Sequence, residues 1–200
     1  MKIIFSPTKT LKKLENNYGS SIPNNLEITN KINNELNVIK EDKHQAIFYY
    51  NGISFKYLDV TSLNIDYLNE HLIILSALYG DLRPLDLINE YRLDFTDKSL
   101  YKYWNIDYKD ELVINLASKE YSKMIKSNNM ITIDFKEYKN NKLTTSGTYN
   151  KMLRGLILRY MTINKITDIS LLKEFSELDY SFNESLSNNN LFVFTKGEVL

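Results

Sequence analysis

Short apolar runs that alternate with helix-periodic segments restrict this chain more than any other feature. Residues 2–6, 73–79 and 113–117 are largely apolar and end at Pro7, Gly80 and Ser118. Runs of this length bounded by breakers read as buried strands. Periodicity alone leaves residues 73–79 open between a strand and the end of a helix. Between these runs, Leu26, Ile28, Ile32, Leu36 and Ile39 recur at helical spacing, with Asn24 or Asn25 as the cap. Residues 64–72 place Ile65, Leu68 and Leu72 on one helical face. Residues 46–50 read as a further buried strand, closed by the turn Asn51-Gly52.

The second half continues the pattern. Pro84 is placed to start a short helix over residues 85–90. Leu100, Tyr103, Trp104 and Tyr108 have helical spacing, and Ser118 caps a helix over residues 119–126. Residues 130–145 alternate around Asn140-Asn141 and predict an antiparallel hairpin. Residues 149–164 carry the strongest amphipathic pattern, with Met152, Leu153, Leu156, Ile157, Tyr160 and Met161 on one side. Thr167 or Asp168 opens another helix to about residue 175, and residues 178–182 and 191–195 read as terminal strands. There are no repeats and no long linker. The expected class is mixed α/β (α+β), one domain over residues 1–200 with a mixed sheet, helices around it and an antiparallel hairpin.

Composition narrows the chemistry. The chain has 25 basic and 25 acidic residues, so its net charge is zero. That excludes binding nucleic acid or anionic lipid by overall charge and leaves local patches. The absence of cysteine excludes disulfides, iron–sulfur ligation and thiol catalysis. His44 and His71 are far apart, so no histidine-rich metal site is expected, and no bound cofactor is expected either. His71 and Trp104 read as core residues. The longest apolar stretch, residues 72–79, falls well short of the ~18 residues a membrane helix needs. With no signal-peptide pattern at its start, the chain reads as soluble and cytoplasmic.

Four of the 25 basic residues are arginine: Arg83, Arg92, Arg154 and Arg159. Lysine serves elsewhere, so these positions are candidates for a planar, bidentate cation. Arg83 and Arg92 flank a segment that leaves a buried run through Gly80. Pairing with Asp86 or Glu90 competes there with binding an anion. Arg154 and Arg159 lie in a window without acidic residues from Tyr138 to Thr167, which also holds Lys139, Lys142, Lys151 and Lys165. A helix start within that window favours anions further. Phe5-Ser6-Pro7-Thr8-Lys9-Thr10 follows a strand with hydroxyls and a lysine, a pattern that holds anions but lacks the glycines of a P-loop. Asn115 and Ser118 stand at a strand-to-helix junction, where α/β proteins reach ligands.

Taken in order, these segments resemble the peroxide stress protein YaaA family of bacteria. Phe5 to Leu11 follow its opening I-S-P-A-K-T-L pattern. His71 to Leu93 follow its long central signature, with Arg83, Pro84, Tyr91 and Arg92 in place. Leu100 to Trp104, Val113 to Tyr121 (V-I-N-L-A-S-x-E-Y), Tyr149 to Arg159 and Leu191 to Phe194 follow the remaining motifs. All four arginines fall on motif positions. The region between residues 11 and 45 is shorter than usual, Tyr57 and Ala77 stand where glycine is usual, and Met152 replaces one of two paired lysines.

The resemblance implies a cytosolic protein that limits hydrogen peroxide damage, associated with lowered free iron and with DNA binding, on a mixed α/β fold of its own kind. No settled reaction comes with it. The expected ligand is DNA, bound without sequence specificity in one basic cleft by Lys9, Lys56, Arg83, Arg92, Lys136, Lys151, Arg154 and Arg159. Tyr50 or Tyr149 would stack on bases. The rival is an enzyme of glycosidase or lyase type on a nucleotide or nucleobase, with Ser6, Asn115, Ser118 and Tyr121 orienting the ligand. A third reading is a carboxylate-based iron-binding protein. Catalytic residues and oligomeric state stay open.

Overall fold

The computed structural model describes residues 1–40 and 42–197. Eight strands form one sheet: β1 (Lys2–Phe5), β2 (Leu72–Ser76), β3 (Gly80–Leu82), β4 (Leu112–Asn115), β5 (Asn129–Lys139), β6 (Lys142–Thr144), β7 (Ser181–Phe182) and β8 (Leu191–Lys196). Their spatial order is β7-β8-β5-β4-β1-β2-β3, with β6 on β5. The five central strands β8, β5, β4, β1 and β2 are mutually parallel, and β7, β6 and β3 are added antiparallel. Parallel strands are covered on both faces, which is why β2 and most of β1 and β4 read as continuous apolar runs. β5 instead alternates, burying Ile131, Ile133, Phe135 and Glu137 and leaving Asp134 and Lys136 half-buried.

Among the described residues six α-helices complete the fold: α1 (Leu26–Leu36), α2 (Ala46–Tyr49), α3 (Ile53–Leu58), α4 (Ile65–His71), α5 (Lys119–Ser122) and α6 (Gly147–Ile163). None is long and apolar enough to cross a membrane. The expected mixed class, the hairpin and the long amphipathic helix are all present. The hairpin turns at Asn140 (φ 50°) and Asn141 (φ 58°), the left-handed pair that a two-residue turn needs. His71 and Trp104 are in the core. The Trp104 indole N–H donates to the Ala77 carbonyl at 3.0 Å.

Several local expectations are corrected. Residues 46–49 form a helix, not a strand. All four side chains are buried, so no periodicity distinguished the two. Residues 85–90 are not helical: Leu87–Asn89 pairs as a strand with Lys43–Gln45. Asp86 there is fully buried and accepts from the Arg83 backbone and guanidinium and from Ser21. Residues 98–103 and 169–174 make tight 3-10 turns in place of α-helices, each capped by an aspartate, Asp97 and Asp168. The helix after Ser118 ends at Ser122, because residues 125–126 pair with Ile106–Asp107. At the C-terminal strands, Leu178 and Asp179 turn with positive φ, so β7 starts only at Ser181. Asn25 precedes α1 without capping it; its amide donates to Asp81 at 2.6 Å and to the Tyr79 carbonyl.

α6 is rotated relative to the predicted face. It buries Asn150, Leu153, Gly155, Ile157, Leu158, Met161 and Thr162, while Met152, Leu156 and Tyr160 are only half-buried. The cause is α3. A Cβ on Gly155 would lie 2.2 Å from the Ser54 carbonyl oxygen and 2.9 Å from the Tyr57 Cβ, so the two helices touch through this glycine.

Candidate functional site

The chain runs from β1 outward to β2 and β3 on one side, then returns to build β4, β5 and β8 on the other. Strand order therefore reverses between β1 and β4. In open α/β sheets ligands bind beyond the carboxyl ends of the strands at such a point. A cleft of about 490 Å³ opens there. Residues 5–10 after β1 and Leu116, Ser118, Glu120 and Tyr121 after β4 form its two banks. The first turn of α3, Tyr91, Leu93, Asp94 and the α6 residues Lys151 and Arg154 complete it.

The banks are tied together by the backbone. The Leu116 N–H donates to the Ile4 carbonyl at 3.0 Å, and the Ser118 N–H donates to Ser6 Oγ at 2.8 Å. Ser118 precedes α5 but gives it no side-chain cap; it closes the switch point instead. Thr8 accepts the Thr10 N–H at 3.2 Å, and the Asn51 N–H donates to the Thr10 carbonyl at 2.9 Å. A Cβ on Gly52 would lie 2.2 Å from Thr8 Oγ1, so only glycine lets this loop lie against α3.

Two charged groups differ in state. Lys9 is paired with Asp94, whose carboxyl titrates at about 2, lowered chiefly by the Lys9 contact and then by Thr96. Arg154 has no ion pair and no protein hydrogen bond among the described residues, and its Nε is buried without a partner. Burial lowers its pKa from the usual guanidinium range, with Asp134 acting in the opposite direction. A cation held partly out of water without a carboxylate in contact is costly unless a ligand supplies the charge.

The aromatic wall is also poised. The Tyr91 hydroxyl lies 2.6 Å from that of Tyr50 and 2.7 Å from Ser76 Oγ, and burial raises its pKa to about 12. Burial likewise raises Tyr121, reinforced by Tyr91 and Asp94.

The structure gathers some predicted residues and separates others. Ser6, Lys9, Ser118, Tyr121, Lys151 and Arg154 share the cleft. Arg92 lines an adjoining hollow of about 450 Å³ across Lys9 and Tyr91. Arg83 is occupied by Asp86 and the Ile22 carbonyl. Arg159 is occupied by the Leu58 and Asp59 carbonyls, the Asp59 carboxylate and Ser62 Oγ at 2.6 Å, closing the end of α3. Lys56 is on the exposed side of α3 and Lys136 faces Asp134 at 3.8 Å, both outside the cleft. Asn115 shapes the turn by accepting the Ala117 N–H and donating to Thr132. Tyr50 is buried with its hydroxyl on Tyr91, so it cannot stack on a base; Tyr149 packs beside the Tyr180 ring.

Gly52, Tyr91 and Asp94 enter the site without having been assigned to it. The advance signs were the motif position of Tyr91 and the Asn51-Gly52 turn, whose partner Thr8 lies more than 40 residues away and is invisible to local pattern. Among the described residues no three His, Asp or Glu side chains form a group that could hold a metal ion.

The Lys9–Asp94 pair predicts a pH effect. Because Asp94 titrates at about 2 in the folded chain against 3.8 ordinarily, its contribution is present above pH 4 and lost as pH falls toward 2. Lys9→Met is expected to raise the Asp94 midpoint part of the way to the ordinary value, since the Thr96 N–H still donates to it at 2.9 Å. Carboxyl-carbon NMR titration reads this directly, and an unmoved midpoint would disprove the pairing.

Comparison with known proteins shows the family. A family model described as peroxide stress protein YaaA matches residues 18–186. A UPF0246 protein of Fusobacterium nucleatum is 35% identical over 245 aligned positions, covering 98% of this chain and 99% of the relative. A UPF0246 protein of Finegoldia magna is 42% identical over 170 positions, covering 77% and 70%. A third, of Lachnoclostridium phytofermentans, is 40% identical over 174 positions, covering 76% and 68%.

Proposed function

The chain belongs to the peroxide stress protein YaaA family, and from that premise we propose that it protects DNA under peroxide stress by seating a phosphate in the cleft at Arg154. The unpaired, partly buried guanidinium is the observation that carries this reading. Phosphate would supply the missing charge and accept from several of its N–H donors. Lys9 and Lys151 add charge at the rim, and Arg92 offers a further cation beside the cleft. Binding would be without sequence specificity, because such contacts read the backbone and not the bases. Limiting iron-dependent damage would then follow from occupying DNA. The carboxylate iron reading finds no donor group among the described residues.

A second reading is favoured by the cleft's shape. Three of the predicted cations share it, opposed by Asp94 and Glu120, and Phe5, Phe55, Tyr91 and Tyr121 contribute apolar wall. That suits a nucleotide or nucleobase ligand as well as a strand. Fluorescence titration with duplex and branched DNA at several salt concentrations, with a free nucleotide as competitor, separates the two. Salt-dependent DNA binding that Arg154→Ala weakens roughly 10–100-fold supports the DNA reading, since charge-assisted hydrogen bonds contribute about 1.5–3 kcal/mol. Saturable nucleotide binding without DNA binding selects the second. Neither, or indifference to Arg154→Ala, overturns both.

A further inference from the structure

Among the described residues two buried side-chain polar atoms lack a partner: Asn150 Oδ1 and Arg154 Nε. They are four positions apart on α6, and such residues are neighbours on one helical face. Buried polar groups are nearly always satisfied, so two orphans on one face call for a cause. Both residues line a hollow of about 370 Å³ at the amino-terminal end of α6, which shares Lys151 and Arg154 with the cleft. Lys119, Asp134, Thr145, Gly147 and Lys151 line it with them.

The chemistry of the two orphans differs. Arg154 Nε is a donor. Asn150 Oδ1 is an acceptor, and its orientation is fixed. The Asn150 amide nitrogen donates to the carbonyls of Phe135 and Ser146, both at 3.2 Å, so a flipped amide would set oxygen against oxygen. Asn150 is 7% exposed, so bulk water does not satisfy it. The surroundings favour an anion: α6 has 17 residues, no acidic residue in its first turn, and Lys119 and Lys151 at the rim. Asp134 opposes this in part, and its carboxylate is already engaged by the Phe135 N–H at 3.0 Å and faces Lys136.

A single group that satisfies both orphans must accept from Arg154 Nε and donate to Asn150 Oδ1, and the cations around the hollow favour one that is also an anion. An internal phosphodiester of DNA has acceptor oxygens only. A phosphate monoester in its monoanionic form has charged oxygens and one P–OH. We propose that the hollow at the start of α6 is a subsite for a terminal phosphate monoester, its oxygens on Arg154 and its P–OH donated to Asn150 Oδ1. This rests on the reading that Arg154 holds a phosphate and narrows it: the ligand is a phosphorylated strand end or a nucleotide, not the interior of a duplex.

Fluorescence anisotropy with one labelled single strand, carrying a 5′-phosphate, a 3′-phosphate or neither, tests this. Wild-type protein is expected to bind at least one phosphorylated strand about tenfold or more tighter than the hydroxyl-ended strand. Asn150→Leu should abolish the difference while hydroxyl-ended binding persists. Should that variant fail to fold, the wild-type comparison decides, repeated with inorganic phosphate as competitor. Equal binding of all three strands overturns the subsite and leaves Arg154 as a phosphate contact, with a buried water between the orphans. Absence of any binding, or binding unaffected by Arg154→Ala, overturns the broader reading as well.

Discussion

Gly155→Ala is expected to destabilise the protein by roughly 2–3 kcal/mol, although alanine is the better helix former by about 1 kcal/mol. Steric overlap decides the sign. The added Cβ would lie 2.2 Å from the Ser54 carbonyl oxygen, 2.9 Å from Tyr57 Cβ and 3.0 Å from the Leu58 N. Two of these three are backbone atoms of α3, which cannot rotate away as a side chain would. The helices must separate, and α3 is also held at its end by the Arg159 contacts to Leu58, Asp59 and Ser62. Thermal unfolding should show a loss of about 5–10 °C for a chain of this size. Because Gly52 to Phe55 line the cleft, ligand affinity should fall with stability. A stability equal to or above wild type would mean that the helices do not cross at this glycine.

That contact illustrates what was legible in the sequence and what was not. The hairpin at Asn140-Asn141, the strands at residues 2–5, 112–115 and 191–196, and the helix ending near Asn164 were legible because each rests on local periodicity or turn chemistry. Residues 46–49 were not: burial on every side erases the period that separates helix from strand. The rotation of α6 was missed for a related reason, since Gly155 counts as neither apolar nor polar yet lies at the centre of the buried face. Among the site residues, the compositional rarity of arginine marked four positions but could not assign their partners. Arg83 meets Asp86, one of the two pairings its sequence neighbourhood offered, and the distant Ile22 carbonyl; Arg159 meets the Leu58 and Asp59 carbonyls and the Asp59 carboxylate, far away in sequence, which only the fold reveals. Asn150 carried a usable sign, an asparagine on the apolar side of a strong helix. Its unsatisfied oxygen required the carbonyls of Phe135 and Ser146 to be in place.

Arg154→Met is expected to raise stability while removing function. The substitution keeps an unbranched side chain of comparable reach and deletes a partly buried cation that has no ion pair and an unsatisfied Nε. Relief of that desolvation should stabilise by about 1 kcal/mol, or roughly 2–4 °C in thermal unfolding. Affinity for phosphate-bearing ligands should fall at least about tenfold in the same variant. The opposite signs are what separate a ligand-binding arginine from a structural one. Arg159 is the internal comparison: it donates to Leu58, Asp59 and Ser62, so Arg159→Met leaves the end of α3 without those contacts and should lose stability. Asp134 offsets part of the gain at Arg154, because its charge favours the guanidinium. Parallel melting curves and titrations of the two variants give the result. If Arg154→Met unfolds earlier than wild type, as Arg159→Met is expected to, then Arg154 supports the fold and the cleft has no resident cation reserved for a ligand.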